Sequence, residues 1–136
     1  LIHDIGKIAI PQSILSKPSK LTEIEKTMIH AHCQIGYEIL SKIDFGYPLQ
    51  KIVLQHHERI NGSGYPNALK GTDIIFDAKV LAVADTVEAM ANHRPYRAAY
   101  GIDKAPKEIE SKRGILFDES AVNACISVFK NKKFEF

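Results

Sequence analysis

Helical spacing of apolar residues dominates this chain, and no segment sustains the strict alternation of apolar and polar residues that a β-strand shows. The strongest helix is predicted over residues 76–91, with its inward face formed by Val80, Val83, Ala84 and Val87. Shorter stripes run through Met28, Ile29 and His32, through Ile35, Ile39, Leu40 and Ile43, and through Leu49, Ile52, Val53 and His56. We therefore predict an all-α domain.

Capping residues and prolines predict where the helices begin. Thr22 and Glu25 have the T-x-x-E spacing of a capping box, so a helix should start there. Proline is tolerated in a first helical turn, and aspartate is a good N-cap. On this basis the other predicted starts are Pro48, Asp103 with Pro106, and Asp118, whose helix extends to Phe129. Residues 61–66, NGSGYP, must form a loop, because glycine and proline break regular structure.

Size and charge exclude several classes of protein. A chain of 136 residues with 45% hydrophobic content can build the core of one domain. Its net charge of +2 is too small to indicate a polymeric nucleic acid as partner. No apolar run approaches the roughly 20 residues of a membrane span. The distant Cys33 and Cys125 favour two reduced thiols over a disulfide or a zinc knuckle. We expect a cytoplasmic domain without membrane contact.

The opening residues predict a longer parent protein. LIHDIGK has the pattern of the closing part of a helix whose beginning is absent. We therefore expect residues 1–136 to form a single domain that lacks its N-terminal helix or helices.

The tandem pair His56 and His57 indicates a metal centre. Neighbouring side chains on a helix point roughly 100° apart, so one ion is hard to reach from both imidazoles within a regular helix. Two ions side by side, or a helix that ends at the pair, would satisfy both rings. The pair therefore suggests a multinuclear centre.

Other candidate ligands are dispersed along the chain. Asp85 lies inside the apolar stretch VLAVADTVEAMA, where a carboxylate needs a partner or a cation. The complete set of candidates is His3, Asp4, His32, His56, His57 and Asp85. Imidazoles with carboxylates favour iron, manganese or zinc over magnesium. His30 is two positions from His32, so on a continuous helix it would lie on the opposite, exposed side.

These motifs, taken in order, resemble the HD-GYP phosphodiesterases of the HD superfamily of metal-dependent phosphohydrolases. The resemblance rests on HDIGK, the H-x-x-x-G segment from His32 to Gly36, HHERINGSGYP, LAVADTVEAM and HRPYR. It covers nearly the whole chain. It implies an HD-domain helical bundle with extra C-terminal helices, in a parent protein with an upstream sensory or receiver domain. It also implies hydrolysis of the bacterial second messenger cyclic di-GMP to pGpG, GMP or both, at a centre of two or three iron or manganese ions.

The resemblance also implies roles for single residues. The six candidates above would be the metal ligands, with Asp4 bridging two ions. Asp4 and Lys7 would be catalytic, and Lys7 would contact the scissile phosphate. The substrate-binding residues would be Lys7, Gly64, Tyr65, Arg94 and Arg97. Arginine also suits phosphate on physical grounds, since its planar fork donates paired hydrogen bonds.

Several alternatives stay open at the level of sequence. The family draws further metal ligands from a helix that precedes HDIGK, so this chain could be an inactive fragment of an active parent. It could also be a cyclic di-GMP-binding or protein-interaction module without turnover, or act on another nucleotide. Glu58 is expected to orient an imidazole, and His93 has no assigned role. Candidate partners besides the substrate are GGDEF-type or other signalling proteins and a second copy of the chain.

Overall fold

The computed structural model describes residues 2–91 and 104–131, without the side chain of Ala91. The regular elements in these ranges are all helical, which confirms the predicted all-α class. A 3-10 helix, Ile2–Ala9, is followed by α1 (Gln12–Leu15), α2 (Glu23–His30), α3 (His32–Leu40), α4 (Leu49–Gln55), α5 (Phe76–Ala91), α6 (Ala105–Ser111) and α7 (Glu119–Lys130). No helix within the described ranges combines the length and hydrophobicity needed to cross a lipid bilayer.

Local hydrogen bonds fix the helix starts that the sequence predicts. The Thr22 hydroxyl accepts from the Glu25 amide at 3.3 Å, and the Glu25 carboxylate accepts from the Thr22 amide at 2.7 Å. At α7, the Asp118 carboxylate accepts from the amides of Ser120 and Ala121. Pro48 precedes α4, and Pro106 lies in the first turn of α6. The predicted cap Asp103 lies outside the described residues.

The stripe through Met28, Ile29 and His32 does not belong to one continuous helix. The structure ends α2 at His30 and begins α3 at His32, with Ala31 between them. Met28 is exposed, whereas His32 is fully buried. The regular helix is interrupted at Ala31, so helical spacing counted across this residue did not predict which side chains are buried.

A close contact joins the 3-10 helix to α3, and α3 packs against α4 in turn. A Cβ atom added to Gly6 would lie 2.0 Å from the carbonyl oxygen of His32. A Cβ on Gly36 would lie 2.8 Å from the Val53 side chain. Only glycine permits these approaches, and they bring three histidine-bearing elements together.

The main hydrophobic core lies between α5, α6 and α7. Its buried members are Ala82, Val83, Val87, Met90, Ala105, Ile109, Phe117, Ala121, Val122 and Ile126. The predicted inward positions Val83 and Val87 are therefore confirmed. The same prediction was wrong for Val80 and Ala84, which are exposed because they line an open apolar groove beside Ala121 and Cys125 of α7.

Candidate metal centre

The tandem histidines lie where α4 ends. Gln55 is the last residue of the helix, and His56 is its C-cap. The two imidazole centroids are 4.0 Å apart, with an interplanar angle of 40°. The structure thus adopts the second of the two expected geometries, a helix end, and both rings turn toward the same cluster.

Backbone carbonyls orient two of the imidazoles. Nδ1 of His32 lies 2.5 Å from the Ile29 carbonyl oxygen, and Nδ1 of His56 lies 2.6 Å from that of Val53. A carbonyl oxygen can only accept, so the hydrogen of each neutral ring is on Nδ1. The lone pair of Nε2 is therefore available in both rings, as metal binding requires.

Two carboxylates lie between the imidazoles. Asp4 places Oδ2 3.5 Å from Nε2 of His3 and Oδ1 3.5 Å from Nε2 of His32. Asp85, on α5, places Oδ1 3.7 Å from Nε2 of His3 and Oδ2 4.0 Å from Nδ1 of His57. Each carboxylate thus faces two different histidines through its two oxygens. The structure brings all six candidate ligands into one cluster.

Two atoms of this cluster are buried without a hydrogen-bond partner. They are Oδ1 of Asp4 and Nε2 of His56, and no described residue satisfies either of them. An unsatisfied buried acceptor costs about 1–3 kcal/mol, so such atoms are rare unless a ligand or water binds them. Both atoms are electron-pair donors, and a cation would satisfy both. The residues present therefore fit a divalent metal ion.

Burial sets the protonation states of the cluster. It lowers the pKa of His56 to about 4, with smaller contributions from His32 and His3. The pKa values of His32 and His57 are also lowered, mainly by burial. Burial alone would raise the pKa of Asp85, but the neighbouring His3 and His57 outweigh it and lower that pKa. Near neutral pH these imidazoles are neutral and this carboxylate is charged, which are the forms that bind cations.

Lys7 adds a cation at the edge of the cluster. It follows Asp4 by three residues, and its Nζ donates to Asp4 Oδ2 at 2.6 Å. Both side chains are about one-third exposed, at 34% and 31%. The ammonium group therefore lies between the buried ligands and solvent, where an incoming anion would meet it.

The GYP loop (residues 61–66) lies against the tandem histidines. A Cβ on Gly64 would lie 2.5 Å from the carbonyl oxygen of His57, so this position requires glycine. The Tyr65 ring stacks between His30, at 3.6 Å, and His57, at 4.7 Å. The expectation that His30 is a surface residue was wrong, because its ring is partly buried against Tyr65.

Glu58 binds backbone amides that follow the GYP loop, and not an imidazole. Its carboxylate is buried and accepts from the amides of Asn67 at 2.7 Å and Leu69 at 2.9 Å. The imidazole orientation expected of it comes from the carbonyls of Ile29 and Val53 for His32 and His56. This expectation was wrong because sequence alone does not show where the loop returns.

Cys33 is the candidate that sequence reasoning missed. It is fully buried and forms no disulfide, and its Sγ lies 3.5 Å from Nε2 of His32. Burial raises the pKa of its thiol to about 12. Two groups of side chains each place their possible ligand atoms within 4.8 Å of one another. The first group is His32, Cys33, His56 and His57, and the second is His3, Asp4 and His56. Adjacency to His32 was the one signal in the sequence.

Arg94, Arg97 and His93 lie outside the described residues.

Comparison with known proteins agrees with this geometry. The family model described as HD domain matches residues 1–121. The "Cyclic di-GMP phosphodiesterase response regulator RpfG" of Xanthomonas campestris pv. campestris is 46% identical over 127 residues, which are 92% of this chain and 34% of that protein. A "Cyclic di-GMP phosphodiesterase" of Thermotoga maritima is 42% identical over 132 residues, 95% of this chain and 36% of that protein. The "3'3'-cGAMP-specific phosphodiesterase 3" of Vibrio cholerae is 40% identical over 105 residues, 77% of this chain and 23% of that protein. The chain thus spans about a third or less of the length of these relatives.

Proposed function

Because the chain belongs to the HD domain family, we propose that it is the metal-dependent hydrolase part of a phosphodiesterase that acts on cyclic di-GMP. An HD domain implies a divalent metal site, and a fitting group of histidine and carboxylate side chains is present. The names of the two most similar relatives above support the substrate class. The reaction opens the cyclic dinucleotide to linear pGpG, and a second cleavage would yield GMP.

The proposed metal ligands are His3, Asp4, His32, His56, His57 and Asp85. The observation that carries this proposal is the pair of buried, unpartnered atoms, Oδ1 of Asp4 and Nε2 of His56. Imidazole and carboxylate donors together suit iron or manganese better than magnesium, and the spread of donors supports two or three ions. Asp4 would bridge two ions, since its oxygens face His3 and His32 separately.

The reaction would combine a metal-activated water with cationic side chains. A divalent ion held there would polarise a phosphoryl oxygen and lower the pKa of water enough to supply hydroxide near neutral pH. His32 and His56 keep their lone pairs toward the cluster through their carbonyl bonds. Lys7 would contact the scissile phosphate and offset the negative charge that grows on its oxygens.

The proposed substrate-binding residues surround this centre. Gly64 lets the GYP loop approach the backbone of His57, and Tyr65 would line the pocket beside the His57 ring. Arg94 and Arg97 would each donate paired hydrogen bonds to a phosphate of the dinucleotide. Lys7 would join them at the scissile group.

Two other functions are supported by particular findings. Relatives named 3'3'-cGAMP-specific phosphodiesterases match at 37–40% identity, which supports a hybrid cyclic dinucleotide as a second candidate substrate. A binding module without turnover would also use these contacts. For either activity, we propose a bacterial cytoplasmic signalling role with GGDEF-type or other signalling proteins, or a second copy of the chain, as partners.

The decisive experiment measures metal content and turnover in the full-length protein. The protein is loaded anaerobically with iron(II) or with manganese, and its metal content is determined by elemental analysis. It is then incubated separately with cyclic di-GMP and with 3'3'-cGAMP, and the products are separated by chromatography. We expect pGpG or GMP from cyclic di-GMP. Tight binding of the nucleotide without any product would support the module instead.

Substitution of Asp85 links the site to that activity. Asp85→Asn keeps the shape of the side chain but removes the charge that faces His3 and His57. We expect metal content and turnover to fall at least about tenfold while helicity, measured by circular dichroism, is unchanged. Glu110→Gln is the matched control, an equal change of charge at an exposed position of α6. Unchanged metal content in Asp85→Asn would remove Asp85 from the site.

A further inference from the structure

We propose that Cys33 is a further ligand of this metal centre, which gives one of its ions a sulfur donor beside imidazole nitrogens. This inference rests on the proposed function, because it assigns a residue to the same site. It makes the centre chemically asymmetric, with one ion held partly by sulfur and the other by the carboxylate-rich side of the cluster.

The first argument is geometric. Cys33 follows His32 on α3, and its Sγ lies 3.5 Å from Nε2 of that histidine. Ligands at about 2.1 Å (nitrogen) and about 2.3 Å (sulfur) from one tetrahedral ion are about 3.6 Å apart. The observed separation is therefore close to the edge of such a tetrahedron. His56 and His57 complete a set of four donors within 4.8 Å of one another, and binding would draw the widest pair in by about 1 Å.

The second argument comes from an independent atom, Nε2 of His56. This side chain is fully buried, and Nε2 has no hydrogen-bond partner among the described residues. An ion bound to this nitrogen would lie in the same group of donors as the Cys33 sulfur. An ion shared by His32, Cys33, His56 and His57 satisfies it.

A sulfur ligand would also change metal preference. Thiolate is a soft donor that favours zinc, cobalt and iron(II) over manganese and magnesium. The thiol proton leaves to solvent when the ion binds, so the ligand is a thiolate. Since one imidazole nitrogen binds one ion, His56 would serve the sulfur-containing position. His3 and Asp85 would then hold the neighbouring ion, and Asp4 would bridge the two ions.

Cobalt(II) absorption tests the proposal directly. The full-length protein is loaded with cobalt(II), and its spectrum is recorded in the visible and near-ultraviolet ranges. We expect visible ligand-field bands from the bound ion and a near-ultraviolet charge-transfer band from the sulfur–cobalt bond. The charge-transfer band should disappear in Cys33→Ser, while the visible bands and cobalt content of the other position remain.

Cys125→Ser is the matched control. Cys125 lies on α7, and the chain contains two cysteines, so this variant leaves Cys33 as the one thiol of the domain. The charge-transfer band should survive in it at full intensity. If Cys33→Ser fails to fold, which circular dichroism would show, Cys33→Ala replaces it in the same measurement and should lose the same band. We also expect folded Cys33→Ser to lose at least about tenfold in its preference for zinc over manganese in a competition assay.

The outcomes separate the two proposals. Visible cobalt bands without a charge-transfer band in the unsubstituted protein would overturn the role of Cys33 and leave the metal centre standing. So would a charge-transfer band that persists in Cys33→Ser or vanishes in Cys125→Ser. Failure of the unsubstituted protein to bind cobalt, iron or manganese would instead overturn the proposed function.

Discussion

At the scale of single residues, the carbonyl bonds of His32 and His56 decide what the other side chains can do. Both rings use Nδ1 for a backbone carbonyl three residues earlier, at Ile29 and Val53. No side chain is needed to hold these rings, so the carboxylates of Asp4 and Asp85 face the cluster itself. Helix geometry thereby supplies the support that metal sites often take from an outer carboxylate.

The position of Gly64 leads to a prediction about the GYP loop. A Cβ there would lie 2.5 Å from three backbone atoms, the Arg59 nitrogen, the Glu58 Cα and the His57 oxygen. These atoms belong to one continuous stretch of backbone, so none of them can move away without moving the others. We expect Gly64→Ala to cost about 1–3 kcal/mol of unfolding free energy and to weaken nucleotide binding by moving Tyr65. Urea denaturation and nucleotide titration would measure both effects.

Gly71→Ala is the control for that prediction. The atoms nearest to a Cβ at Gly71 belong to Ile60 and lie at 3.8 Å, an ordinary contact distance. This variant should stay within about 0.5 kcal/mol of the unsubstituted protein and bind nucleotide normally. If the two variants behaved alike, the close approach at Gly64 would not govern the loop.

The cluster could be predicted from sequence wherever a residue is chemically unusual in its surroundings. Asp85 within an apolar stretch and the tandem histidines carry such a signal, and the structure does bring these residues together. Cys33 carries no such signal beyond its adjacency to His32, because a buried cysteine replaces a small apolar residue without disturbing the pattern. Glu58 was assigned the wrong contact, since its partners are amides nine and eleven residues later in a loop.

At the scale of helices, predictions held where local hydrogen bonds decide the outcome. The capping box at Thr22 and the N-cap at Asp118 depend on atoms within three residues, so the sequence contains everything needed. The interruption at Ala31 has no such local signal. No glycine or proline marks it, and α3 beyond it packs against the 3-10 helix. The position of His30 was therefore predicted wrongly.

The capping box yields a prediction for α2. Thr22→Ala removes the hydroxyl that accepts from the Glu25 amide, and we expect a loss of about 1 kcal/mol in unfolding free energy. Thr72→Ala is the control, since this threonine is exposed in a turn outside the helices. It should change stability by less than about 0.5 kcal/mol. Urea denaturation compares the two, and equal losses would show that the cap contributes nothing.

At the scale of the whole molecule, the metal cluster and the main core occupy different halves joined at few points. The Ile60 amide donates to the Leu116 carbonyl at 3.1 Å. The Arg59 guanidinium lies 5.1 Å from the centroid of the Phe117 ring, which belongs to the core. Helix α5 contributes Asp85 to the cluster and Val83 to the core. The helical stripes predict both halves and the helix that they share, but the two contacts between loops have no regular spacing in the sequence.

This division predicts that stability and metal content can be changed separately. Ile109, on α6, is fully buried in the core and contributes no atom to the cluster. Ile109→Ala should cost about 2–5 kcal/mol of unfolding free energy, through lost burial and the cavity left behind. Metal bound per folded chain should not change. Ile115→Ala, at a residue that is 58% exposed, should alter neither quantity measurably.

Thermal unfolding and elemental analysis of the same samples would measure the two quantities. Saturating metal should raise the unfolding free energy by a similar amount in both variants, about 2.7 kcal/mol at a concentration one hundred times Kd, because it binds only the folded form. Distant sites act additively, so the metal should offset part of the Ile109→Ala loss without any change in stoichiometry. If metal content fell in Ile109→Ala at a temperature where its helicity is complete, the core would be positioning Asp85 through α5. The two halves would then have to be treated as one cooperative unit.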